Sequence, residues 1–199
     1  MSLNVLFEDR HCLVVNKPSR LLTASDKTGD ETLIGMARAY NGARQAEGKK
    51  GYLAPMHFLD RPVSGVVLFA VSSKAASRLQ EQFRGFKIEK TYLALVEGKP
   101  KESRGEWVDW LLKDHDANHV KVVPKGTPDA KSCRLDFELV ATLGELSLVK
   151  LRPKTGRSHQ LRVQLSSRGL PIFGDTKYGA SKAFGGSIAL HARELRFSH

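Results

Sequence analysis

The sequence reads as an α+β domain, of the mixed α/β kind, rich in strands and poor in helices. Three observations predict it. Residues 132–141 alternate, with Cys133, Leu135, Phe137, Leu139 and Ala141 on one side, and an apolar run at 146–151 returns across 142–145 as a hairpin would. Residues 66–71 form an unbroken apolar run with the β-branched content of a buried strand. Helical spacing is confined to 32–40, to a run from Ser72 or Ser73 to about Arg84, and to a run ending at Gly169.

Composition bounds the function. The chain has 199 residues, of which 41% are hydrophobic, enough for one domain with a sizeable core. One domain is expected over 1–199, with no room for a separate N-terminal domain ahead of it. No apolar run approaches the roughly 20 residues of a membrane helix, and no signal peptide opens the chain, so a cytoplasmic protein is expected. Cys12 and Cys133 are far apart and read as reduced core residues. The histidines, His115 and His119 included, form no metal-ligand pattern, so no metal is expected. The net charge of +11 points to a polyanionic partner, nucleic acid above all. Lys150, Arg152, Lys154, Arg157, Arg162 and Arg168 fall within 146–174 without one acid among them, which reads as a binding footprint.

The elements follow in order. Residues 4–8 and 12–16 are short strands, followed by Lys17-Pro18. The helix at 32–40 has Asp30 as a possible cap, and 41–51 reads as a mobile loop. Asp60 lies in the loop Met56–Gly65, just ahead of the buried strand, where Pro62 and Gly65 let the backbone hold a defined shape. A carboxylate on the rim of a rigid element is a candidate for chemistry, although Asp is also an ordinary turn residue. In the helix after Ser72, Ala76, Leu79 and Phe83 make a core stripe. Residues 88–96 alternate, with Ile88, Lys90, Tyr92, Ala94 and Val96 on one face. Residues 103–125 read as irregular, anchored by Trp107, Val108 and Trp110, with a short strand at 119–123. Thr155 or Ser158 is expected to cap the last helix, which puts His159, Arg162 and Ser166 on one face.

Several of these stretches together resemble one family. His57-Phe58-Leu59-Asp60-Arg61-Pro62-Val63-Ser64-Gly65 is similar to the H-R-L-D-x-x-T/S-G signature of the RluA family of pseudouridine synthases. Lys90, Tyr92, Ala94, Val96 and Gly98 match K-x-Y-x-A-x-V-x-G. The run from Thr155 to Gln164 resembles T-G-R-S/T-H-Q-L/I-R-V-H, and residues 169–179 resemble G-H-P-I-x-G-D-x-x-Y-G. Leu190-His191-Ala192 with Leu195 and Phe197 matches L-H-A-x-x-L-x-F. The resemblance runs in order from about residue 5 to the end.

The resemblance implies a pseudouridine synthase catalytic domain, a bent, largely antiparallel sheet flanked by helices. It implies isomerisation of a specific uridine in ribosomal or transfer RNA, without a cofactor, by a monomer. Asp60 would be the catalytic carboxylate, acting at the sugar as nucleophile or as base. Arg162 would keep it ionised, and Tyr92 would stack on the base. Lys17, Phe58, Arg61, Lys90, Lys154, Arg157 and His159 would contact RNA. Asp175 is expected to be structural. Phe58 departs from the family Arg, and is either an apolar wedge or a repacked core residue. Gln164 and Leu170 stand where the family has His, and the C-terminal end looks short. The alternatives are a non-catalytic RNA-binding module on the same fold and, well below it, a glycoside hydrolase pairing Asp60 with Asp175.

Overall fold

The computed structural model describes residues 2–25, 29–43, 51–114 and 116–199. His115 and most of the expected 41–51 loop lie outside the described residues. The chain forms two compact units, Met1–Ile88 with Phe197–His199, and Glu89–Arg196.

In the first unit, β1 (Val5–Glu8) and β2 (Cys12–Lys17) form a hairpin. Helix α1 (Leu33–Ala43) and the short β3 (Ala54–Pro55) precede β4 (Ser64–Ala70), which pairs antiparallel with β2. Val67, Leu68, Phe69 and Ala70 are all fully buried, so both faces of β4 are covered, as its unbroken apolar run predicts. Burying a side chain such as Phe69 contributes about 1.5–3 kcal/mol. The β2–β4 register sets Lys17 opposite Gly65, which brings the end of β2 to the Asp60 loop. Helix α2 (Ser73–Arg84) packs on β4, with Ser72 accepting the Ala75 N–H at 3.2 Å. Ala76 and Leu79 are buried and Phe83 lies 5.7 Å from the His57 ring, so the stripe read from sequence faces inward. The cap of α1 is Thr32, whose Oγ1 accepts the Gly35 N–H at 3.1 Å, while Asp30 pairs with Arg61 instead.

The second unit is a sheet of β5 (Glu89–Glu97), β6 (Arg104–Asp114), β7 (His119–Val123), β8 (Lys131–Leu143), β9 (Leu146–Pro153) and β10 (Leu190–Arg196). Their order is β10-β5-β9-β8-β6-β7, every neighbour antiparallel. The β8–β9 hairpin closes with Leu143 opposite Leu146 and Gly144 at φ +59°, the positive φ that a tight hairpin turn needs. A bulge between Leu139 and Ala141 interrupts the alternation of β8. The expectation of irregular chain over 103–125 is corrected, because β6 is an 11-residue strand. Its polar sequence carries little periodic signal. What holds it is cross-strand pairing with β8, where Trp107 stacks on Phe137 at 4.1 Å and Glu106 takes Arg134 at 2.7 Å.

Helix α3 (Gln160–Ser166) packs on β6 and β7, and Leu111, Val120, Cys133, Val163 and Tyr178 close the core beneath it. A turn from Gly174 to Gly179 follows, with a single 3-10 turn at Thr176–Tyr178. Gly174 has φ +89°, and a Cβ there would lie 2.5 Å from Phe184 Cβ and 2.8 Å from the Ser187 carbonyl. Gly174→Ala therefore combines a disfavoured φ with a clash against backbone, and is expected to destabilise the chain by about 1–3 kcal/mol in denaturant titrations. No helix among the described residues is long and apolar enough to cross a membrane.

Candidate active site

Asp60 is half-buried, and the backbone around it is tied at every step. Before it, Leu59 exchanges two hydrogen bonds with Thr23 Oγ1, at 2.7 and 3.3 Å. Its own carbonyl accepts the Val63 N–H at 3.0 Å, closing the turn that Pro62 stiffens. After it, the Arg61 carbonyl accepts the Arg20 N–H at 2.8 Å and Lys17 Nζ at 3.2 Å. The loop is pinned to β2 and to the 20–23 segment, so the carboxylate is carried on a preorganised frame.

Lys17 does not have the place expected of an RNA contact. Its side chain is 0% exposed, and Nζ also donates to the carbonyls of Leu21 at 2.7 Å and Pro18 at 3.0 Å. The three donors of the ammonium are consumed by three carbonyls, which makes Lys17 an internal clamp of the Asp60 loop. Burial pushes its pKa down to about 8, against the pull of the Asp60 carboxylate. The unfolded side chain keeps its proton up to about 10.5. Between these values the unfolded chain binds more protons than the folded one, so stability rises with pH through that window. Unfolding free energies from pH 7 to 11 should show the wild type gaining on Lys17→Met between about pH 8 and 10.5.

Phe58 is 61% exposed, which removes the repacked-core alternative. Arg61 is also exposed; its Nε donates to the Arg20 carbonyl at 3.2 Å and its NH2 meets Asp30 at 2.8 Å.

The second unit holds the other candidates. Tyr92 is half-buried at the centre of β5, opposite Leu151 on one side and Ala192 on the other. Ala94 and Val96, on its face, are buried. Lys90 is half-buried, and its ammonium, held below the ordinary lysine pKa by burial, lies against Gly156, where a Cβ would be 3.4 Å from Nζ. Strand β5 and the 154–159 loop thus meet at Lys90.

Arg162 is 6% exposed and makes a two-pronged pair with Asp175, Nε to Oδ2 at 2.7 Å and NH2 to Oδ1 at 2.8 Å. Its guanidinium also lies over the Tyr178 ring at 4.9 Å. The expected face of α3 is present: His159 Nδ1 is 2.7 Å from the Tyr178 hydroxyl, and Ser166 Oγ donates to the Tyr178 carbonyl at 2.6 Å. All three residues grip one turn. The cap is not as expected, since His159 stands at the N-cap with φ +51° and caps nothing with its side chain. Thr155 is used elsewhere, accepting the Arg134 N–H at 3.1 Å and donating to Gln160 Oε1 at 2.8 Å.

Two residues were quoted in the motifs without a role, and the structure supplies one for each. Tyr178 accepts the Val120 N–H at 3.0 Å and stacks on His119 at 4.7 Å, so it locks Arg162 and His159 to β7. Gln160 is buried and stitches the 154–157 loop, taking the Arg157 N–H at 3.1 Å and donating to the Arg134 carbonyl at 3.0 Å. Their only trace in sequence is their place inside long signatures. The departures Gln164 and Leu170 are absorbed in the interior, with Gln164 donating to Asp109 at 2.6 Å.

The basic block within 146–174 is less bare than its sequence. Lys150 and Arg152 pair with Glu138 at 3.3 and 3.4 Å, Lys154 with Asp136 at 2.8 Å, and Arg168 with Asp109 at 3.0 Å. Arg157 donates to the Ser132 carbonyl at 3.1 Å. The compensating acids come from β8 and β6. Exposed pairs of this kind contribute only about 0–1 kcal/mol, so Lys154 and Arg152 can exchange a carboxylate for a phosphate at little cost.

Residues 11–167 match the family described as RNA pseudouridylate synthase. The chain is 37% identical to tRNA pseudouridine synthase C of Haemophilus ducreyi, over 100% of this chain and 86% of that protein. It is 35% identical to the dual-specificity RNA pseudouridine synthase RluA of Yersinia pestis, over 98% of this chain and 92% of that protein. It is also 33% identical to ribosomal large subunit pseudouridine synthase D of Zymomonas mobilis, over 99% of this chain and 65% of that one. Among solved structures, human RNA Pseudouridylate Synthase Domain Containing 1 superposes with a TM-score of 0.80 at 28% identity, covering 98% of this chain and 78% of its own. Matches that span nearly all of this chain leave one assignment: the chain belongs to the RluA family of RNA pseudouridine synthases, enzymes that isomerise uridine to pseudouridine.

Proposed function

We propose that this enzyme isomerises a specific uridine in ribosomal or transfer RNA, as a monomer in the cytoplasm, without a metal or cofactor in the reaction. Asp60 is the catalytic carboxylate, acting at the sugar while the base is detached, turned and rejoined through carbon. Tyr92 stacks on the target base, and Arg162 holds Asp60 ionised. Exposed Phe58 and Arg61, with Lys90, Lys154, Arg157 and His159, meet the RNA. The observation that carries the reading is the Asp60 loop, whose backbone is fastened by Thr23, Lys17, Arg20 and Val63 around a half-buried carboxylate. A loop that only connects two strands needs no such clamp.

The substrate class rests on the relatives, whose names include transfer RNA and the large ribosomal subunit. The test is to incubate the protein with total transfer RNA and ribosomal RNA transcribed without modification, and to look for pseudouridine by nucleoside chromatography. Comparing pseudouridine maps of cells with and without the gene then locates the uridine. Phe58→Ala is expected to leave stability within about 0.5 kcal/mol, because the ring is 61% exposed. It should slow conversion of structured RNA about tenfold, the loss of one ring that fills the space a flipped nucleotide leaves.

A further inference from the structure

The β1–β2 turn carries donor atoms of three kinds. Asp9 Oδ, Cys12 Sγ and a ring nitrogen of His199 all lie within 4.8 Å of one another. Asp9 and Cys12 are set by the turn itself, in which Asp9 N–H donates to the Cys12 carbonyl at 3.0 Å. The Asp9 Oδ1 accepts the N–H groups of His11 at 2.8 Å and Cys12 at 2.7 Å, so its Oδ2 is left facing His199 Nε2, 2.8 Å away. His199 comes from the far end of the chain and is steadied by the rings of Phe7 at 6.2 Å and His11 at 5.8 Å. Its side chain is 40% exposed, which leaves it room to swing toward the sulfur.

A carboxylate, a thiol and an imidazole converging from separate segments are the ligand types of zinc, which binds them at about 2.0–2.3 Å and so needs its ligands about 3–4 Å apart. Atoms that all lie within 4.8 Å of one another need to close by no more than about 1 Å to reach that spacing. We infer that Asp9, Cys12 and His199 form a binding site for a thiophilic divalent cation of the zinc type, water completing its coordination. Spacing along the chain hides this site, because only the fold brings His199 to the Asp9–Cys12 turn. Binding displaces the thiol proton of Cys12 to solvent. Because a proton is released on binding, affinity rises with pH. The bound cation ties the segment Phe197–His199 to the first hairpin.

The test is titration of the reduced full chain with Co²⁺, followed by displacement with Zn²⁺. One equivalent is expected, with a thiolate-to-cobalt charge-transfer band in the near ultraviolet and visible bands of tetrahedral cobalt. Cys12→Ser should abolish the charge-transfer band. His199→Ala, a change at a partly exposed position that the fold tolerates, should weaken Co²⁺ binding at least tenfold. A wild-type protein without the band, a band that survives Cys12→Ser, or a His199→Ala variant that binds Co²⁺ as tightly as the wild type overturns the site. Each of these would leave Asp9 and His199 as a hydrogen-bonded pair only.

Discussion

Asp60→Asn is expected to lower pseudouridine formation by more than about 10³-fold while RNA affinity stays within a few-fold of the wild type. The substitution keeps the size and the planar shape of the side chain. The ties that fasten the loop backbone to Thr23, Lys17 and Arg20 do not run through the carboxylate and are kept in the asparagine variant. What it removes is the negative charge and with it both proposed roles, nucleophile and base. Affinity for RNA comes instead from cations and exposed rings spread over many residues, and falls with salt. The measurement is single-turnover conversion beside a binding isotherm at fixed ionic strength. Parallel loss of conversion and binding, with a lowered melting temperature, would show Asp60 to be a framework residue and sink the assignment.

The second large effect is on stability. Asp175→Asn should destabilise the fold by about 3–5 kcal/mol, a drop in melting temperature on the order of 10 °C for a chain of this size. The reason is the burial of both partners. The side chains of Arg162 and Asp175 are 7% and 1% exposed, and the carboxylate takes two prongs of the guanidinium. Neutralising Asp175 takes a full negative charge away from a buried guanidinium and breaks a charge-assisted two-pronged pair inside the low-dielectric interior. The Tyr178 ring beneath Arg162 offsets a small part of that loss. Replacing both partners, as Arg162→Met with Asp175→Leu, should recover much of the stability, because neither member of this buried pair is then left charged opposite a neutral partner. Conversion should remain absent in the double variant, since Arg162 is proposed to act on Asp60. Calorimetry of the two variants, paired with the conversion assay, separates the structural partner of Arg162 from its catalytic one. A double variant as unstable as Asp175→Asn would contradict the desolvation account.

The fold was legible where the signal is local. The β8–β9 hairpin, α2 with its Ser72 cap, and β4 stand where alternation, capping residues and an apolar run put them. Strand β6 was not legible, because Arg104, Glu106 and Asp109 break any apolar alternation. Its existence depends on β8 lying alongside, so its pattern is written half in another strand. The cap of α1 was misjudged by two residues for a simpler reason: Asp30 and Thr32 are both good caps, and Arg61 takes Asp30 away.

Charge shows the same division most sharply. The residues named the family, because long ordered signatures survive in the one-dimensional chain, and the same signatures offered Asp60, Tyr92 and Arg162 as candidates. They could not say which charges are spent inside the molecule. Lys17 looks like any surface lysine before a proline until β2 and β4 pair and three carbonyls close on its ammonium. The basic block within 146–174 looks uncompensated until β8 lies against β9 and sets Asp136 and Glu138 across from Arg152 and Lys150. Turn and strand preferences depend on neighbours along the backbone, and so can be read in order. Neutralisation depends on neighbours in space within a few ångströms, where Coulomb energy and desolvation are both steep functions of distance, and only the folded chain supplies those distances.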